Sequence, residues 1–414
     1  MNLNIKGVLG ILLFFLIVFF TYQLQYVKLA IILILTISSI RDIRLSSRVK
    51  KWIFAYVFMN LIGVVFAILY SNPDPFSAFR VQCLWPILYL NLIGIITPVF
   101  WEKLQKAFSY SLFVLIIIGL IACIKFNLSG SFNDVFFNFE SAVRPGFPII
   151  AISGGGVAIF IFLYFYILSN FLLGISCHKK IDLVNVVLGI FFIFITSRRA
   201  LFTDIILVFI VIGLFIRVNR NKLIIERRYF RKYLTIFLII LLGISIYVIS
   251  SGIVDFTEIQ DFYYAAFESE TDGARKSQAA ALINGWLEKP IFGNGFGVNA
   301  IGWVSNEDHP GAYEMTYHLM LFSTGIVGVL FFILLCATLY RWVLNISVIK
   351  KIHREGFSLL IALSMILLAN ATNPYIQAFD FQWFVFIPLV IVNLYDINKK
   401  RNKNEKYSCH YQGF

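Results

Sequence analysis

Charge is scarce in this sequence. Asp, Glu, Lys and Arg make up 14% of 414 residues, hydrophobic residues make up 59%, and the mean hydropathy is +0.83. A water-soluble fold carries roughly a quarter charged residues, so a set of soluble domains is excluded. Cysteine is scarce too: Cys83, Cys123 and Cys336 lie in apolar runs, and Cys177 and Cys409 lie in basic loops. That distribution leaves no disulfide framework and no cysteine-based metal site. The N-terminal apolar stretch lacks a small-residue cleavage site and runs on into further apolar segments, so it reads as a retained first helix. No long-period repeat is present, and no Asp-rich metal motif occurs in the polar loops.

What is abundant is apolar sequence of membrane-spanning length. A span takes about 20 apolar residues, so ten to twelve spans would use roughly 200–240 positions. Polar breaks give candidate spans near 7–22, 27–40, 52–71, 81–101, 107–126, 149–172, 183–196, 200–216, 234–251, 315–340, 357–372 and 383–397. The runs 27–40 and 183–196 are short, which leaves a re-entrant hairpin open there. With the N-terminus inside, 26 of the 35 Lys and Arg fall on the cytoplasmic side and 9 on the external side, alternating loop by loop. This bias sets orientation, and it assigns the net charge of +13 to topology, with no nucleic acid among the expected partners. The expected organisation is helices over 1–251, a large external loop over 252–314, helices over 315–397 and a basic cytoplasmic tail over 398–414.

The external loop is acidic, about −7, against a basic chain. Its segments Phe256 to Phe267 and Ser277 to Leu287 have helical apolar spacing and read as surface-lying helices. Gly293-Asn294-Gly295-Phe296-Gly297 reads as a tight turn. It lacks the Lys-Ser/Thr of a phosphate-binding P-loop and follows no strand pattern.

The residues able to carry chemistry are polar groups that a membrane normally excludes. Arg198 and Arg199 cap a hairpin between two apolar runs, where they either meet an anion or snorkel to the interface. Asp204, about a turn further in, reads as a partner for one of them in preference to a catalytic carboxylate. Arg80 and Arg144 carry the same two readings, a solvated loop residue being the plainer one for Arg144. Glu307-Asp308-His309-Pro310 leads to Tyr313-Glu314, and His318 follows. His309 is either a solvated loop residue or a general base, and Glu314 either a helix N-terminal charge or an acceptor-activating carboxylate.

Three segments in order resemble the bacterial O-antigen polymerase and ligase superfamily. They are Thr196-Ser197-Arg198-Arg199-Ala200, the run from Gly273-Ala274-Arg275 through Trp286 to Lys289-Pro290-Ile291-Phe292-Gly293-Asn294-Gly295-Phe296-Gly297, and Glu314 through Gly325-Ile326-Val327-Gly328. The likeness is detailed over residues 180–345 and topological elsewhere. One departure is that Glu314 stands where many members carry a histidine pair, with His309 and His318 on either side.

The resemblance implies an all-α polytopic membrane protein of about 12 spans, similar to the GT-C glycosyltransferases. It implies transfer of glycan from undecaprenyl pyrophosphate on the outer face of the cytoplasmic membrane, inverting, without a metal or other cofactor. Arg198, Arg199 and Arg275 would bind pyrophosphate, with Arg80 and Arg144 as further contacts; bidentate guanidinium forks suit that anion. Glu314 or His309 would activate the acceptor hydroxyl, and Trp286, Tyr313 and His318 would contact sugar or order the loop. The product would be O-antigen of lipopolysaccharide, capsule or exopolysaccharide, lengthened on a second lipid-linked repeat unit. A ligase delivering glycan to lipid A core or protein shares that donor chemistry. A lipid-linked oligosaccharide flippase is the alternative from another class. A chain-length regulator and a flippase are the protein partners the resemblance leaves open.

Overall fold

A computed structural model describes residues 5–21, 23–129, 140–144, 147–153, 155–176, 178–195, 199–219, 221–250, 270–304, 311, 313–349, 354–371 and 373–411. Helices dominate. In chain order they are α1 (Ile5–Phe19), α2 (Gln25–Ser38), α3 (Ser47–Leu69), α4 (Pro75–Phe79), a π turn at Arg80–Leu84, α5 (Trp85–Ile93) and α6 (Pro98–Ser129). A two-stranded hairpin, β1 (Glu140–Arg144) and β2 (Phe147–Ser153), comes next. Then follow α7 (Gly155–Leu172), α8 (Lys179–Ile195), α9 (Arg199–Val218), α10 (Ile224–Ser250), α11 (Glu270–Glu288), α12 (Thr316–Ile349), α13 (Glu355–Ala369), α14 (Gln382–Phe386) and α15 (Leu389–Tyr411).

Among the described residues, Ser47–Leu69, Pro98–Ala122 and Thr316–Ile349 are long and apolar enough to cross a membrane. A fourth is gained if the bent pair Phe379–Phe386 and Leu389–Lys400 counts as one span. The 44° bend falls at Ile387–Pro388, where proline removes a helix donor and crowds the preceding turn.

Two sequence expectations need correction. The apolar run 81–101 is not one helix. Residues 94–97 separate α5 from α6, and Pro98 opens the new helix while Thr97 Oγ1 caps it by accepting from the Phe100 amide at 3.2 Å. The run 149–172 is not helical from its start: residues to Ser153 form β2, rich in the β-branched and extended-tolerant residues of Phe147-Pro-Ile-Ile-Ala-Ile-Ser. Apart from that one hairpin, the elements of the described residues are helical, as an all-α fold requires.

The chain divides into two compact units, Met1–Phe108 with Gln278–Phe414, and Ser109–Ser277. In the first, α3, α13 and α15 pack on α12, and α5 packs on α2 and α14. The start of α3 is pinned: Ser46 Oγ caps the Val49 amide at 3.3 Å, and Asn393 bridges the Ser46 amide and the Arg44 carbonyl. In the second, α7 is central and contacts α8, α9 and α10. Its apolar residues from Val157 to Leu168 are buried on every face, as an all-round hydrophobic helix must be. Gly174, at φ 69°, ends the turn after α7.

Candidate functional site

In the first unit, the glycine-rich segment after α11 is threaded into a break in α12. At Gly325 the backbone leaves helical geometry, with φ 63° and ψ −168°. The break frees two carbonyls and two amides of α12, and the threaded segment satisfies all four. Asn294 and Gly295 donate their amides to the carbonyls of Phe322 and Ser323 at 2.8 and 2.9 Å. The amides of Ile326 and Val327 donate to the carbonyls of Pro290 and Ile291 at 3.0 and 3.2 Å. Buried backbone groups left unpaired would each be costly, so segment and break form together.

The glycines are dictated by close approach. Gly293, Gly295 and Gly297 all have positive φ. A Cβ at Gly293 would meet Ser323 C at 2.5 Å, and one at Gly295 would meet Ala67 Cα at 2.6 Å. Asn72 clamps the segment from the loop after α3, its Nδ2 donating to the carbonyls of Asn294 at 2.9 Å and Phe296 at 2.8 Å. Lys289 Nζ lies 3.4 Å from the centre of the Tyr70 ring, and Phe292 stacks on Phe66. The amides of Gly293, Asn294, Gly295 and Phe296 are all spent on backbone carbonyls, so this turn offers no nest for phosphate.

The sequence-predicted residues fall around this unit as follows. Tyr313 is buried, and its hydroxyl accepts from the Ala300 amide at 2.6 Å and donates to the Trp303 carbonyl at 2.9 Å. Burial pushes its phenol above the ordinary range, and the Ala300 bond opposes that rise. Of its two expected roles, sugar contact or loop contact, the geometry is that of loop contact. Glu314 is exposed in the bend that opens α12, and the next amide, Met315, donates to Gln278 Oε1 of α11 at 2.9 Å. Beneath them Ala281, Leu282, Ala300, Tyr313, Leu319 and Phe322 form a small apolar core. Trp286 is half-buried with Nε1 donating to the Pro290 carbonyl, and His318 is half-buried in the first turn of α12. Arg80 is exposed in the π turn, its guanidinium 5.6 Å over the Trp85 ring.

The remaining residues belong to the second unit or to the undescribed ones. Arg275 is half-buried on α11, three residues before Gln278. Arg144 ends β1, paired with Phe147, and Arg199 is the first residue of α9. Arg198 and His309 lie outside the described residues, as does the expected helix at 256–267. Asp204 is 3% exposed within α9, its Oδ2 without a hydrogen bond among the described residues.

One pairing escaped sequence reading. Lys28 of α2 and Asp380, before α14, are both fully buried and form an ion pair at 2.5 Å, with Lys28 Nζ also donating to the Phe20 carbonyl at 2.7 Å. Lys28 opens the short apolar run 27–40, and Asp380 lies between the runs 357–372 and 383–397. The only signal was that two lone charges of opposite sign fell on the same expected face. No protein-family model matches this chain, and no curated protein matches it either.

Proposed function

We propose that this chain is a membrane glycosyltransferase that lengthens a lipid-linked glycan on the outer face of the cytoplasmic membrane. The observation that carries the reading is the threading of Pro290–Gly295 into the break at Gly325. It makes one physical unit out of two segments whose order in the sequence motivated the family resemblance. The twelve apolar runs and the 26-to-9 division of Lys and Arg support a polytopic arrangement with both termini cytoplasmic.

In the proposed reaction, the terminal hydroxyl of one lipid-linked repeat unit attacks the anomeric carbon of the donor glycan. The bond from that carbon to the pyrophosphate oxygen breaks, and undecaprenyl pyrophosphate leaves with the electron pair. Glu314, exposed at the mouth of α12, takes the hydroxyl proton, and His309 is the alternative base. The resemblance assigns the charge growing on the pyrophosphate to Arg275, Arg198 and Arg199, with Arg80 and Arg144 as further contacts. The test is a glycan ladder in membranes supplying the lipid-linked unit. Arg275→Ala should abolish the ladder while the protein elutes and melts as the wild type does. An unchanged ladder would remove Arg275 from the chemistry.

One observation favours a second reading, transport of the lipid-linked oligosaccharide. Transporters place charged groups away from the rim, inside the protein, and the Lys28–Asp380 pair is fully buried. A flippase would move the substrate between leaflets without changing glycan length.

A further inference from the structure

The first unit contains a cavity of about 1250 Å³ between α1, α2, α5, α6, α14 and α15. Pockets for drug-sized ligands run about 300–1,000 Å³, so this one suits something larger. Its wall follows α1 from Lys6 to Ile17, about 16 Å at the helical rise. One leaflet of hydrocarbon is about 15 Å deep, half of a bilayer core. The deeper wall is apolar, with Leu13, Phe14, Ile17, Trp383 and Phe386.

Polar groups gather at one end. Lys6 of α1, Arg44 after α2, Lys103 in the first turns of α6 and Lys400 of α15 all line the cavity, and all belong to segments read as cytoplasmic. Lys6 is paired with Asp42, and the other carboxylate of the lining, Asp396, is paired with Arg48. Arg44 is a weaker neighbour of that same Asp42. Arg44, Lys103 and Lys400 enter no ion pair among the described residues. Two polar atoms on the wall, Ser39 Oγ and Tyr89 Oη, are buried with no hydrogen bond among the described residues.

We infer that this cavity seats one anionic glycerophospholipid of the cytoplasmic leaflet. Its phosphate sits among Arg44, Lys103 and Lys400, and an acyl chain lies along α1. Ser39 and Tyr89 supply hydroxyls to the glycerol and ester oxygens, satisfying groups whose burial is otherwise costly. Basic pockets between membrane helices on the cytoplasmic side are the usual seats of acidic headgroups. The inference rests on the reading of the basic loops as cytoplasmic, and not on the glycan chemistry.

The test is titration of delipidated protein in detergent with dioleoyl phosphatidylglycerol or dioleoyl phosphatidylcholine, read by native mass spectrometry. One phosphatidylglycerol should bind saturably, and phosphatidylcholine at least tenfold more weakly. Neutralising Arg44, Lys103 and Lys400 together to Gln should weaken phosphatidylglycerol by about fivefold per charge, or about a hundredfold in all. All three are exposed or half-buried, so the triple variant should fold. Ile17→Trp, filling the deep end, should weaken both lipids. Equal binding of the two lipids, unsaturable binding, or a triple variant that binds as the wild type does would overturn the inference. A protein without transferase activity would give the same titration, so the two proposals fail separately.

Discussion

Gly293 and Gly325 are in mutual backbone contact: a Cβ on either would stand 2.6 Å from the amide nitrogen of the other. Both have positive φ, at 73° and 63°. Alanine at either position therefore meets a positive-φ backbone cost of about 1–3 kcal/mol and an overpacking cost of about 1–3 kcal/mol. Gly293→Ala and Gly325→Ala should each lower the melting temperature of the solubilised protein by several degrees. Gly273, on α11 with open space around it, is the control; alanine there should stabilise by up to about 1 kcal/mol. Equal melting of Gly293→Ala and Gly273→Ala would show that the threaded segment is not rigid.

The Lys28–Asp380 pair predicts a steep double-mutant cycle. Removing one partner strands a buried charge, at about 3–5 kcal/mol, whereas replacing both can be nearly neutral. Lys28→Met and Asp380→Asn should each lose stability, and the double variant should recover most of it. Additive losses in unfolding midpoints would mean the two groups do not interact.

Tyr313→Phe removes a hydroxyl that holds both the Ala300 amide and the Trp303 carbonyl. Leaving those groups unmet should cost about 1–3 kcal/mol, read by thermal unfolding. The pH dependence has a definite sign. The folded phenol is raised above the unfolded value of about 10, so its contribution is complete below that pH and is lost as pH rises through the folded value. The wild type should thus lose stability above about pH 10 more steeply than Tyr313→Phe does.

Orientation is testable by labelling single cysteines with a membrane-impermeant maleimide in a background without native cysteine. Ile301 is 84% exposed in the glycine-rich loop region, and Ile301→Cys should react in intact cells. Lys50, exposed near the start of α3, lies on the basic side, and Lys50→Cys should react only after permeabilisation. The reverse pattern would invert the topology.

Much of the helical layout was legible because apolar runs dominate the sequence, and the marks that end them are chemical. Thr97-Pro98 and Pro388 carry local signals for a helix start and a bend, yet the apolar residues around them masked both breaks. The glycines at 293, 295 and 297 announced a turn, since their φ values are local. Their partners could not be read, because Gly325 and Ala67 meet them through tertiary backbone contact and Asn72 through side-chain hydrogen bonds from a distant loop. Gln278, which fixes the Met315 amide beside Glu314, looks like any polar residue of an exposed helix. The Lys28–Asp380 pair joins residues 352 positions apart, beyond any local pattern.

The most direct measurement is reconstitution of the purified wild-type chain in liposomes with undecaprenyl-pyrophosphate-linked repeat units and no other protein. Longer lipid-linked glycans and stoichiometric release of undecaprenyl pyrophosphate are the expected result. Movement of the substrate between leaflets with glycan length unchanged and no pyrophosphate released would contradict it.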